Sequence, residues 1–145
     1  MPKYINDINE GRLIEEDYDN AGGNDVIFVG DCEVYENSSP IKMWEEYGIT
    51  SYIRGSSQQL IWQSYYLLEE MLQYEQPKVV VFNVLSMKYN EPQNEAYNRL
   101  TLDGMKWSSY KWDAVQASMM DDEDWITYLF PLLRYHSRWS ELTAE

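Results

Sequence analysis

The sequence predicts one α/β domain built on a parallel sheet with helices on both faces. Three observations lead there. Short apolar runs alternate with helix-period segments in the order strand, helix, strand, helix, strand. The strand-like runs are continuously apolar, as strands covered on both faces are. A chain of 145 residues, 44% of them hydrophobic, fits a single domain with a real core.

The elements follow in order. Met1–Asn24 is charged and closes on Ala21-Gly22-Gly23-Asn24, so it reads as a flexible acidic approach segment ahead of a domain spanning 25–145. Val26-Ile27-Phe28-Val29-Gly30 is the first short strand. Ser39 as N-cap and Pro40 at the first helical position open a helix that Gly48 ends. Ile49–Ile53 is the second strand, closed by Arg54-Gly55. Ser56 and Ser57 cap a helix running to about Glu75, with Leu60, Ile61, Ser64, Leu68, Met71 and Leu72 at helical spacing. Pro77 stops it, and Lys78–Leu85 is the strongest strand in the chain. Residues 90–106 are polar and read as a loop, and Trp107–Met119 as a weaker helix. Asp121–Asp124 load acid before a last helix from Trp125 to about Trp139, which Pro131 kinks or breaks.

Charge and cysteine usage narrow the function. Eleven basic residues against 25 acidic ones give a formal charge of −14. Such a surface repels phosphate backbones and anionic headgroups, which argues against nucleic acid and direct membrane contact as partners. Cys32 is the single cysteine, so neither an internal disulfide nor a thiolate zinc site can form. The Asp121–Asp124 run lacks EF-hand spacing, and no metal or other cofactor is expected. No Gly-rich phosphate loop follows the first strand, which weakens a nucleotide-binding reading.

Open parallel sheets bind ligands beyond the carboxyl ends of their strands. There the sequence places Gly30-Asp31-Cys32-Glu33, then Arg54-Gly55-Ser56-Ser57, then Asn83 within an apolar run. The first stretch, with its strand Val26–Val29, resembles the Gly-Asp-Ser block of SGNH/GDSL hydrolases. Gly55 is similar to the second block, whose glycine N–H is an oxyanion donor. Asn83 is placed like the third, whose side chain is the other donor. Pro40, Trp44, Gly48 and Gly55-Ser56-Ser57 extend the likeness to membrane-anchored SGNH-like proteins of Gram-positive bacteria. The resemblance covers roughly 25–90, or to 140 on a generous view.

It implies a three-layer, flavodoxin-like (SGNH-type) fold with an incomplete sheet, and an esterase or O-acyltransferase domain. The implied substrate is a small acyl ester or acylated glycan. The implied setting is extracytoplasmic, tethered to the bacterial membrane in a longer protein. Two departures stand out. Cys32 occupies the serine position, and the late Asp-x-x-His block is absent from this chain.

Each site residue has a second reading. Cys32 is a nucleophile or a small structural residue, and the flanking Asp31 and Glu33 oppose thiolate formation. Asp31 is loop support as a cap or turn residue. Asn83 is an oxyanion donor or a buried amide pinning a loop. Arg54 holds an anion or pairs with a carboxylate. His136 is the only histidine and therefore the one ordinary base, though it matches no family block. The alternative function is a non-catalytic SGNH-like binding or scaffold module. Lys78–Leu85 is left with a free edge, to be covered by the last helices, a homodimer or another partner.

Overall fold

A computed structural model of the chain describes residues 23–92 and 94–135, with Ile14, Glu15 and Tyr18 ahead of them. Three strands form an open parallel sheet: β1 (Val26–Gly30), β2 (Ser51–Gly55) and β3 (Val79–Phe82), in the order β2-β1-β3. Val29 aligns with Arg54 and Phe82, and Gly30 with Gly55.

Asp25 sets this register at the strands' starts. Its N–H donates to the Thr50 carbonyl (2.9 Å) and its own carbonyl accepts from Lys78 and Val79 (2.9 and 3.0 Å). Its carboxylate lies 2.6 Å from Lys78 Nζ and accepts from the Thr50 N–H at 3.2 Å. One residue therefore gathers the entries to all three strands.

Side-chain alternation splits the sheet into two faces. Ile27, Val29, Val80 and Phe82 meet α3 (Ile61–Met71) through Met71 and Leu68. Full burial of Ile27 or Val29 contributes about 1.5–3 kcal/mol each. The opposite face carries α1 (Cys32–Asn37) and α2 (Pro40–Tyr47), with Val34 of α1 against Gly30 and Gly55 and Met43 of α2 against Ser51.

Beyond α3 lies a helical layer of α4 (Glu95–Leu102), α5 (Ser109–Ser118), α6 (Ile126–Leu129) and α7 (Pro131–Tyr135). Leu67, Leu102, Ala114, Val115 and Tyr128 form its core together with Ile14. A buried polar network sits among these helices. Gln63 Nε2 donates to Asn98 Oδ1 (3.0 Å) and Ser118 Oγ (3.1 Å), and Asn98 Nδ2 donates to the Ser118 carbonyl (2.8 Å).

Several expectations from sequence are corrected. The second strand begins at Ser51, because Thr50 is occupied by Asp25. The third helix begins at Ile61 rather than after Ser57, and Ser56 is instead buried against Gln59 and Thr101. Residues 90–106 contain α4, whose N-terminus Asn94 caps by accepting from the Tyr97 N–H at 3.1 Å. The third strand ends at Phe82, and a 3-10 turn spans Leu85–Lys88. It is not covered on both faces, since Val79 and Val81 stay 50% and 41% exposed. Within the approach segment, Ile14 is buried and Tyr18 packs beside the same core. The break at Pro131 is present, between α6 and α7.

Candidate functional site

The carboxyl rim of the sheet gathers the first two chemical segments by register alone, because Gly30 and Gly55 are strand partners. Asn83 joins them when its N–H donates to the Val29 carbonyl at 2.8 Å. A side chain on Gly30 would meet Asn83 Cβ at 2.4 Å, and one on Gly55 would meet Val34 Cγ2 at 2.5 Å and the Gly30 carbonyl at 2.9 Å. Both glycines are thus required by close approach. Gly30 also has φ +155°, which side-chain-bearing residues rarely adopt.

Asp31 is the N-cap of α1. It is 5% exposed, and its carboxylate accepts from the Glu33 N–H at 3.1 Å. That places Cys32 at the first helical position, half-buried. Burial pushes its thiol pKa up, and the negative charges of Asp31 and Glu36 push it further the same way. Two backbone N–H groups oppose them, that of Gln58 and that of Cys32 itself. Gln58 adopts φ 55°, in the left-handed region, and its Oε1 is buried with no partner among the described residues. Tyr35 OH and Ser57 Oγ, 2.9 Å apart, tie α1 to the same loop.

Asn83 is engaged on both sides. Its Oδ1 accepts from the Leu85 N–H at 2.8 Å, and its Nδ2 faces Glu33 Oε2 at 3.5 Å. Gly55 is buried beneath α1, with the Asp31 carbonyl 3.3 Å from where its Cβ would stand. The amide aimed at the thiol therefore belongs to Gln58, which sequence reasoning did not single out. The only signal for it was its position just past Gly55-Ser56-Ser57. His136 lies outside the described residues, as does the end of the helix expected to carry it.

The remaining candidates sit elsewhere. Arg54 is fully buried, donates to the Leu67 carbonyl (3.0 Å) and Tyr74 OH (2.6 Å), and lies 4.0 Å from Glu70 Oε2. It faces the helical layer and is paired with a carboxylate there. Asp124 lies just ahead of α6 and accepts from the Ile126 N–H at 3.1 Å. A cleft of about 370 Å³ is lined by Tyr18, Glu70, Gln73, Tyr74, Lys106, Ser108 and Tyr110, sharing no residue with the rim. Glu70 is engaged from two sides within it: Tyr18 OH donates to Glu70 Oε2, and Ser108 Oγ donates to Glu70 Oε1 at 3.2 Å. Burial and Glu70 raise the Tyr18 phenol far above its ordinary range, so it stays protonated. Among the described residues no group of three or more His, Cys, Asp or Glu is arranged to hold a metal ion.

Fold and rim together define a class, an α/β domain with an open three-stranded parallel sheet and a cysteine at the first position of the helix that follows β1. Comparison with family models, curated proteins and solved structures gave no match.

Proposed function

We propose that this chain is a non-catalytic SGNH-like binding or scaffold module, in which the nucleophile-site loop serves structure more than chemistry. One observation carries the reading: the groups that would do acyl chemistry are already held by the chain's own acidic residues. Asn83 Nδ2 stands 3.5 Å from the Glu33 carboxylate, and an oxyanion placed there would meet a like charge. Burial first, and then the charges of Asp31 and Glu36, push the Cys32 thiol pKa up. Asp31 is spent on capping α1.

A second reading is favoured by the convergence of Gly30–Cys32, Gly55 and Asn83 at one rim. In it the domain is a weak SGNH-like esterase or O-acyltransferase acting on acyl groups of cell-surface carbohydrate. The Cys32 thiolate would add to the acyl carbonyl, forming a C–S bond as the alcohol leaves with a proton. Water or an acceptor hydroxyl would then cleave the thioester. Backbone N–H groups and Asn83 would stabilise the developing oxyanion. The thiol proton needs a base, for which the chain offers His136. A site lacking one triad member still reaches ~10³–10⁴-fold over water.

Hydrolysis of p-nitrophenyl acetate by the wild type, Cys32→Ala and Cys32→Ser separates the two. Equal slow rates for all three are expected. A burst of nitrophenol that depends on Cys32 would overturn the scaffold reading. Iodoacetamide labelling against pH gives an independent readout, with half-maximal modification expected above the usual thiol range.

A further inference from the structure

We propose that the cleft between the end of α3 and the start of α5 binds a small aromatic carboxylate, with its ring against the tyrosines and its carboxylate on Lys106. The cleft shares no residue with the rim, so this inference stands or falls separately from any reading of the rim.

The walls favour a flat apolar body over a sugar. At about 370 Å³ the cleft lies at the small end of ligand sites. The Tyr18 and Tyr74 rings stand 5.5 Å apart, tilted at 41°, and Tyr110 lines the cleft from the first turn of α5. Arg54, fully buried, lies 5.0 and 5.7 Å from the centres of the first two rings. Many hydrogen-bonding groups of these walls are spent within the chain. Tyr18 OH donates to Glu70 and accepts from the Lys106 N–H at 3.0 Å. Tyr74 OH accepts from Arg54 Nη2 at 2.6 Å. Ser108 Oγ donates to Glu70 and accepts from the Lys111 N–H at 3.1 Å. Gln73 Nε2 donates to the Glu69 carbonyl at 3.1 Å. A sugar entering here would leave hydroxyls without partners, at a desolvation cost. An aromatic ring brings no such groups and gains burial against the tyrosine faces.

Lys106 selects the charge of the ligand. It is exposed, and its Nζ lies 4.4 Å from the centre of the Tyr18 ring. Among the described residues no carboxylate comes within 4.0 Å of that ammonium. Glu70, the carboxylate of the cleft, is buried and already matched by Arg54 at 4.0 Å and by two hydroxyls. The cleft therefore offers one positive charge with no carboxylate on it, in a chain of formal charge −14. An exposed cation–ring contact is weak, so the ammonium can turn to a ligand carboxylate at little cost. A ligand cation would instead be repelled by Lys106 and Arg54. The chain's overall negative charge opposes an anion at long range. Salt screens that repulsion beyond about 8 Å at physiological ionic strength, and screens direct contact with Lys106 far less.

Titration of the nitrogen-15-labelled full chain with 3-phenylpropionate, followed by amide chemical shifts, tests the assignment. Saturable shifts at Lys106, Ser108 and Tyr110 are expected, with a Kd of about 0.1–1 mM, and none at Gly30, Cys32 or Gly55. The neutral 3-phenylpropionamide should bind about three- to tenfold more weakly. Glucuronate, a carboxylate on a polar ring, and 3-phenylpropylamine, a cation on the same ring, should both bind more weakly than the acid. Lys106→Gln should bring acid and amide within about twofold of each other. Tyr110→Ala should weaken both by roughly fivefold, with circular dichroism unchanged in either variant. The proposal is overturned by no saturable shift up to about 10 mM acid, or by shifts confined to the rim. It is overturned equally by an amide, amine or glucuronate that binds as tightly as the acid, or by a preference for the acid that survives Lys106→Gln.

Discussion

Placing a methyl group on either rim glycine separates backbone strain from crowding. Gly55→Ala is a packing test. The new Cβ would stand 2.5 Å from Val34 Cγ2, 2.9 Å from the Gly30 carbonyl and 3.3 Å from the Asp31 carbonyl. Val34 is a stiff β-branched residue and the two carbonyls belong to the strand-to-helix turn, so none yields cheaply. Overpacking of this kind costs about 1–3 kcal/mol. Gly30→Ala adds a second cost. Its Cβ would fall 2.4 Å from Asn83 Cβ, and φ +155° disfavours any side chain by about a further 1 kcal/mol or more. We therefore expect losses of about 1–3 kcal/mol for Gly55→Ala and about 2–4 kcal/mol for Gly30→Ala. Urea denaturation followed by far-ultraviolet circular dichroism measures both. With a slope near 2 kcal/mol per molar urea, the Gly30→Ala midpoint falls by about 1–2 M. A loss below about 0.5 kcal/mol for Gly30→Ala, within the range of ordinary surface changes, would refute the close approach of β1 and Asn83.

Other outcomes follow from the same geometry. Gln63→Leu strips partners from Asn98 Oδ1, Ser118 Oγ and the Leu60 N–H, all inside the helical layer; a loss of about 2–4 kcal/mol is expected in the same denaturation assay. Asp25 is held below the usual carboxylate range by Lys78 first and then by Thr50. Its stabilisation is therefore complete above the ordinary carboxylate pKa and is lost as pH falls through the lower folded value. Asp25→Asn should lower stability near neutrality and flatten its decline in acid, as read by urea midpoints from pH 7 downward. The Cys32 thiol has the opposite sign, because burial and then Asp31 and Glu36 raise it. Its contribution is whole below the ordinary thiol pKa and fades as pH climbs towards the raised one. Cys32→Ala should remove that alkaline component, measured the same way.

Much of the architecture was legible in the sequence because it depends on local chemistry. Ser39, Pro40 and Gly48 mark both ends of α2, and Gly48 takes the left-handed φ of 67° that its place demands. The apolar runs after Asn24 and Pro77 announced β1 and β3. Asn94 is a capping residue at the head of α4, yet the polar composition of 90–106 hid that helix. Its buried face is made of Asn98, Arg99 and Thr101 as well as Leu102. Hydrophobic periodicity cannot reveal a helix whose buried side chains are polar and satisfied by neighbours distant in sequence.

The sequence by itself determined the alternation of three strands with helices up to Phe82, and that three polar segments follow the three strands. It did so because strand and helix preferences are written in residue type and period over a few positions. Only the tertiary structure decided what those segments meet. The pairing of Gly30 with Gly55, the turn of Asn83 towards Glu33, and the approach of the Gln58 N–H to Cys32 are contacts across 25 or more residues of chain. Such contacts follow from strand order and helix docking, which distribute burial over the whole molecule and leave no mark on any single stretch.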